Sequence, residues 1–257
     1  MRLALALTGS VMALSACATT SEDASATAVY DPLEGWNRGV YAFNDGVDRA
    51  VLEPVAKGYR AVTNEPVRDG VSNFLTNLNQ PVVFANTVLQ GKPGASLDTA
   101  VRFFVNTTVG IGGIFDAATP LDVPQHREDF GQTLGTWGVP NGPYLVLPLL
   151  GASNLRDTVG FGVDMAFDPL NYAQFDGDTE VRIGRQVATV VSVRENAIEA
   201  VDVLRDQPEP YVALRRNYTQ QRAAAIRDGR EQEDPFKDLP DFDAYDFGDD
   251  EDFESEE

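Results

Sequence analysis

The chain holds a single histidine, His126, and a single cysteine, Cys17, so catalytic or metal chemistry has few side chains to work with. One histidine and one cysteine cannot build a His–Cys zinc cluster or an ordinary cysteine protease. A serine triad would have to use His126, and no Gly-x-Ser-x-Gly elbow exists to present the serine. His126 therefore reads as a structural or surface residue. Gly110-Ile-Gly112-Gly113 is not a dinucleotide fingerprint, because position 115 is Phe and no strand-helix-strand unit surrounds it. Asp176-Gly-Asp178-Thr-Glu180 has the carboxylate spacing of a calcium loop. It carries Val181 and Val187 where such a loop needs Gly and Glu, so it reads as a turn and helix cap. No catalytic residue, metal or cofactor is expected from these residues.

Cys17 is placed for a different reaction. Arg2 gives a short positive start, Leu3 to Ala13 is largely apolar, and Leu14-Ser-Ala-Cys17 closes the segment. A run this short cannot span a bilayer, which takes about 20 apolar residues, so residues 1–16 read as a cleaved signal peptide. The thiol at the cut would accept a diacylglyceryl group, and two or more acyl chains anchor stably where one does not. An exported protein with one thiol at that position is not building disulfides. Ala18, where an Asp would resemble an inner-membrane retention signal, leans the reading to the outer membrane. Residues 17–29 read as a lipidated flexible tether, 30–230 as one helical domain, and 231–257 as an acidic disordered tail.

The charge is unevenly spread. The formal net charge is −20, which argues against nucleic acid as a partner. Residues 231–257 hold 14 acidic residues and one Lys, whereas 18–230 hold 26 acidic against 18 basic. The tail interleaves Phe236, Phe242, Tyr245, Phe247 and Phe253 with acid.

The elements between are mainly helical by apolar spacing. Asn37 to Val62 shows one helical stripe, which Pro54 should kink or break, and Pro66 to Gln90 a second, with Pro81 inside it. Gly91 to Gly94 is a turn, and Ser96 reads as the N-cap of a helix through Val105. Gly110 to Gly151 is rich in Gly and Pro, which allows short helices and tight turns. Within it Tyr144 to Leu150 is the most apolar run of the mature chain. A long helix follows Asp178 to about Asp206, and a last one covers Tyr211 to Asp228. No strand-turn-strand alternation stands out. The Gly131/Gly135 spacing is that of small-residue helix contacts in membranes, although such matches are frequent by chance in soluble chains.

Several segments in order resemble the MlaA (VacJ) lipoproteins. They are Asp31-Pro-Leu-Glu-Gly-Trp-Asn-Arg38, Tyr41-Ala-Phe-Asn44, Val47-Asp-Arg-Ala-Val-Leu-Glu-Pro-Val-Ala56 and Val71-Ser-Asn-Phe-Leu-Thr-Asn-Leu78. Arg102-Phe-Phe-Val-Asn-Thr107, Gly110-Ile-Gly-Gly-Ile-Phe-Asp116, Glu128 to Gly138, Gly142 to Pro148 and Ser153 to Asp157 continue the series. Glu53 stands where a basic residue is common in that family, and Pro140 where a glycine often does.

The resemblance implies a mainly α, ring-like assembly of amphipathic helices lying in one membrane leaflet around a central amphipathic channel. It also implies a non-enzymatic role, the removal of mislocalised phospholipids from the outer leaflet. Its implied partners are membrane phospholipids, trimeric outer-membrane porins and a soluble periplasmic lipid carrier that receives the cargo. The implied location is the outer membrane, lipid-anchored and facing the periplasm. On this reading Asn44, Asp48, Gly131, Gly135, Tyr144, Leu145 and Leu147 are the candidate lipid path, and Cys17 is the lipidation site. The competing reading is a structural lipoprotein that scaffolds porins or another periplasmic factor. A further one is a lipid-cleaving enzyme using His126.

Overall fold

The computed structural model describes residues 29–228, so Cys17, the tether before Val29 and the acidic tail lie outside the described residues. The described chain is mainly helical. Helix α1 (Glu34–Val47) runs through a π-helical turn (Asp48–Leu52) into α2 (Glu53–Val62), and α3 (Glu65–Leu89) and α4 (Pro93–Thr108) follow. The Gly/Pro-rich middle gives α5 (Phe130–Thr136) and a hairpin of β1 (Tyr144–Leu147) and β2 (Gly151–Asn154). The described residues close with α6 (Leu155–Phe167), α7 (Asp178–Asn196), α8 (Ile198–Arg205) and α9 (Pro210–Ile226). No helix of the described residues is long and apolar enough to cross a membrane.

Local sequence explains most boundaries. Pro54 does not break the first helix. A proline ring collides with the carbonyl four residues back, here Ala50. The π-helical turn over Asp48–Leu52 widens the ladder at that point and lets the chain continue. Helix α3 opens on Asn64, whose side chain accepts from the Val67 amide, and carries Pro81 within it as expected. Ser96 is not an N-cap. Pro93 occupies the first turn of α4, three residues before it, and the Ser96 hydroxyl donates back to the Lys92 carbonyl at 2.9 Å. The long helix expected from Asp178 to Asp206 is interrupted at Ala197, which separates α7 from α8.

The hairpin was not expected from the sequence. Strands β1 and β2 pair antiparallel, with Tyr144 opposite Asn154 and Leu147 opposite Gly151. Tyr144 and Val146 point into a small aromatic core with Val40 and Tyr211. The Tyr144 and Tyr211 rings meet edge to face at 6.2 Å. Asn37 ties this core together: its amide donates to Asp31 at 2.8 Å and to the Tyr144 carbonyl at 3.0 Å, and its oxygen accepts from the Val146 amide at 2.9 Å.

Polarity is distributed unusually. Of the seven largest fully buried side chains, five are Asn or Thr: Asn37, Asn86, Thr87, Thr99 and Thr133. Trp36 is 66% exposed, Phe104 65% and Phe115 61%. Large apolar side chains face outward on α1, α2, α3, α4, α6 and α7. The interior polar groups bond to one another. Thr133 donates to Asn86 at 2.8 Å, Asn86 to Asp164 at 2.8 Å, and Gln90 to both Glu128 and Thr133 at 3.0 Å. Buried polar groups are tolerated when paired in this way.

Carboxylates in this interior respond to pH in opposite directions. Burial pushes Asp129 and Asp157 up, but hydrogen bonds from Arg222 outweigh it and hold both below the usual carboxylate range. A lowered folded pKa contributes stability above the unfolded value, and that stability is lost as pH falls through the folded one. Melting temperature should therefore hold down to about pH 4, the ordinary carboxylate value, and drop below it. Arg222→Gln should lower the plateau and shrink that acid step, as melts between pH 3 and 7 would read. Burial raises Asp164 instead, against the Phe130 amide and Asn86 that favour its charge, so its contribution fades as pH rises.

Candidate functional site

Helices α3 and α7 form a wall with two unlike faces. On α3 the residues Ser72, Thr76, Asn79 and Gln80 recur at helical spacing and line a polar cavity of about 760 Å³. On α7 the residues Arg185, Thr189, Ser192 and Asn196 do the same. The segment Gln125–Asp129, Gln132 of α5 and Gln221 and Arg222 of α9 line its other sides. Across the wall lies an apolar groove of about 840 Å³. It is lined by Val67, Val71, Phe74 and Leu78 of α3, Val181 and Ala188 of α7, and Ile114 and Phe115 of the loop after α4. Leu75 and Arg185 line both spaces.

Charges in the polar cavity are mostly committed. Arg222 donates to both oxygens of Asp129 at 2.6 and 2.8 Å and to Asp157 at 2.8 Å. His126 meets Asp98 at 3.0 Å, and Arg185 pairs with Asp168. Gln80 is only 4% exposed, and its Oε1 has no hydrogen-bond partner. Among the described residues no group of His, Cys, Asp and Glu is placed to hold a metal ion.

The expected path residues fall into two groups. Asn44 and Asp48 lie one turn apart, both on a small pocket of about 170 Å³ with Tyr41, Val146, Arg194 and Arg205. The Asn44 amide donates to the Leu147 carbonyl at 3.0 Å and its oxygen accepts from the Leu149 amide at 2.8 Å, so it clamps the end of β1 and the middle of the hairpin turn. Leu149 sits there at φ 64°, a left-handed conformation that favours glycine. Tyr144 is buried, while Leu145 and Leu147 are half-buried on the same strand. Gly131 and Gly135 lie apart from these, on α5. A Cβ at Gly131 would stand 2.6 Å from Asp157 Oδ1 and 2.7 Å from Arg222, and one at Gly135 2.8 Å from Ile226 and 2.9 Å from Arg156. These two glycines permit close approach to α6 and α9, next to ion pairs. Bulky replacement there should strain that packing.

Asn44→Ala is expected to cost about 1–3 kcal/mol, the loss of hydrogen bonds to two backbone groups. It should also speed amide exchange at Leu147 to Gly151 while leaving α3 protected. Unchanged exchange in the hairpin would refute the clamp.

Comparison with known proteins settles the family. The profile of the MlaA lipoprotein family matches residues 29–225. The chain belongs to the MlaA lipoprotein family. It is 34% identical over 225 residues to the intermembrane phospholipid transport system lipoprotein MlaA of Escherichia coli, covering 85% of this chain and 87% of that one. An uncharacterized protein of Rickettsia felis is 37% identical over 201 residues, 77% of this chain and 79% of its own. A solved structure described as the structural basis for maintenance of bacterial outer membrane lipid asymmetry superposes with a TM-score of 0.67. It is 34% identical and covers 76% of this chain and 98% of that one. The mainly helical MlaA fold expected from the resemblance is thus observed; the β1–β2 hairpin is a feature that the sequence reading did not foresee. What the sequence did not single out is the polar set on the α3–α7 wall, above all Gln80 and Arg185. Its signal was present: polar positions 72, 76, 79 and 80 recur on the side opposite apolar 67, 71, 74 and 78.

Proposed function

We propose that this protein removes mislocalised phospholipids from the outer leaflet of the outer membrane, passes them toward a soluble periplasmic carrier, and so maintains lipid asymmetry without catalysing a reaction. The observation that carries this reading is the partly inverted polarity: many large apolar side chains face outward while much of the interior and the lining of one cavity are polar. An amphiphile can then move with its headgroup among polar side chains and its tails in apolar surroundings, sparing the large cost of a charge in hydrocarbon. In this reading residues 1–16 are removed, Cys17 is acylated, and the helical unit of residues 30–230 lies in the inner leaflet facing the periplasm. It sits beside a trimeric porin, and the acidic tail projects away from the membrane. The names of the relatives support the phospholipid cargo; the porin and the carrier rest on the family resemblance.

The test is a deletion strain. Outer-leaflet phospholipid should rise on deletion, return with the wild-type chain, and stay high with Cys17→Ala. An unchanged outer leaflet on deletion would defeat the reading. A scaffold packed as an ordinary globule should remain soluble when de-lipidated, whereas this protein carrying Cys17→Ala should still need detergent, since so broad an apolar surface is rarely left to water.

A further inference from the structure

We propose that the α3–α7 wall is a phospholipid seat. The lipid phosphate draws Arg185 from Asp168, a headgroup hydroxyl or ammonium donates to Gln80 Oε1, and one acyl chain lies in the α3–α7 groove. This rests on the functional reading above and assigns residues to it.

Three observations carry the assignment. Arg185 is the one charged residue that lines both the polar cavity and the apolar groove, so it stands where the phosphate of an amphiphile divides the two. Arg222, the other paired cation of the cavity, is held by two carboxylates at once, whereas Arg185 has one, Asp168. Asp168 also accepts from the Leu170 amide at 3.1 Å, so it keeps a partner when the guanidinium turns away. A planar guanidinium exchanges a carboxylate for a phosphate without losing its paired geometry.

Gln80 supplies the second observation. A buried oxygen without a partner costs about 1–3 kcal/mol, and a native structure normally supplies a donor. Gln80 lines the cavity and carries such an oxygen, closed to water, which a turn of the side chain would bring to a headgroup's glycerol hydroxyl or ethanolamine ammonium.

The groove supplies the third. Its volume of about 840 Å³ falls within the roughly 300–1,000 Å³ of ligand sites. Its α7 wall is opened by Gly184, where an added Cβ would meet nothing within 4 Å. A side chain added there starts into open space on the groove side of α7.

The experiment uses the full-length lipidated protein in detergent, titrated with fluorescent phosphatidylglycerol and phosphatidylethanolamine in long-chain and dibutyryl forms. Folding of each variant is checked by its melting temperature. Arg185→Gln should weaken binding of all forms by about tenfold or more, the scale of a hydrogen bond to a charged group. Asp168→Asn should bind as well as wild type or more tightly. Gly184→Leu should weaken long-chain lipids alone, and Gln80→Leu should weaken both headgroups. Equal weakening by Arg185→Gln and Asp168→Asn would mean that the pair only holds the fold, and would overturn the seat. So would wild-type binding by Arg185→Gln, or a Gly184→Leu variant indifferent to chain length, as expected if a partner protein rather than an acyl chain fills the groove. Deletion that disturbs the outer leaflet while Arg185→Gln binds normally would sink the seat alone. Binding through Arg185 with an undisturbed outer leaflet on deletion would sink the functional reading alone.

Discussion

Asp48→Ala is expected to lower stability by about 3–5 kcal/mol, the usual cost of removing one partner from a buried ion pair. Asp48 accepts from Arg194 at 2.6 and 2.9 Å and from Arg205 at 2.7 Å. The Arg194 side chain is 8% exposed and Asp48 14%, so water screens the pair weakly. Arg205 reaches Asp45 at 2.8 Å and Glu53 at 2.6 Å as well, so the cluster joins α1, the π-helical turn and the start of α2 to α7 and α8. Hydrogen bonds from Lys57 and Arg205 hold Glu53 at about 2. Removing Asp48 leaves the Arg194 guanidinium without its close partner, with Glu53 3.8 Å away. Chemical denaturation in detergent would read the loss. The comparison variant is Asp48→Ala with Arg194→Met, which removes both charges and should recover much of the stability. A single-variant loss below about 1 kcal/mol would show a solvated surface pair instead.

The second large effect is expected at Gly160. A Cβ there would stand 2.4 Å from the Gly131 amide nitrogen, 2.7 Å from its Cα and 3.0 Å from the Phe130 carbonyl carbon. The obstacles are all backbone atoms of α5, so no side chain can turn aside and the two helices must separate. Overpacking costs about 1–3 kcal/mol and occasionally more; Gly160→Ala should reach the upper end. Separating α5 from α6 would also disturb the bonds from the Phe130 amide to Asp164 at 3.1 and 3.0 Å. Gly162, two residues on, has nothing within 4 Å of an added Cβ, so Gly162→Ala is the matched control and should be neutral or mildly stabilising. Similar melting temperatures for the two variants would refute the close crossing.

These two sites show where sequence reading reaches and where it stops. Periodicity located α3 and the proline within it, because a helix needs only its own neighbours to declare a face. The hairpin escaped because Tyr144 to Leu150 is apolar at every position but Pro148, so no alternation marks β1. Its two buried and two half-buried residues alternate only in the folded structure. Gly131 and Gly135 were legible as a close-packing pair. Their neighbours Asp157, Arg222, Ile226 and Arg156 lie elsewhere in the sequence, and no local pattern discloses them. Gly160, the residue that sets the crossing, went unremarked for the same reason. Asp48 is among the candidate path residues, but its ion-pair partners Arg194 and Arg205 are 146 and 157 residues away and no local pattern links them to it. Fully buried Asn37, Asn86 and Thr133 were hidden by the habit of assigning polar residues to the surface.

The inward-facing amides and hydroxyls also bear on how this protein responds to temperature. The heat capacity of unfolding rises with the apolar area newly exposed and falls with the polar area. Here many large apolar side chains are exposed before unfolding, and much of what unfolding would uncover is Asn, Thr and Gln. Its unfolding heat capacity should therefore lie well below the ~12–15 cal/mol/K per residue of water-soluble domains. A small heat capacity makes enthalpy nearly constant with temperature and flattens the stability curve. Chilling then removes less of what holds the fold than it does in a domain built on hydrophobic burial, whose driving force fades in the cold.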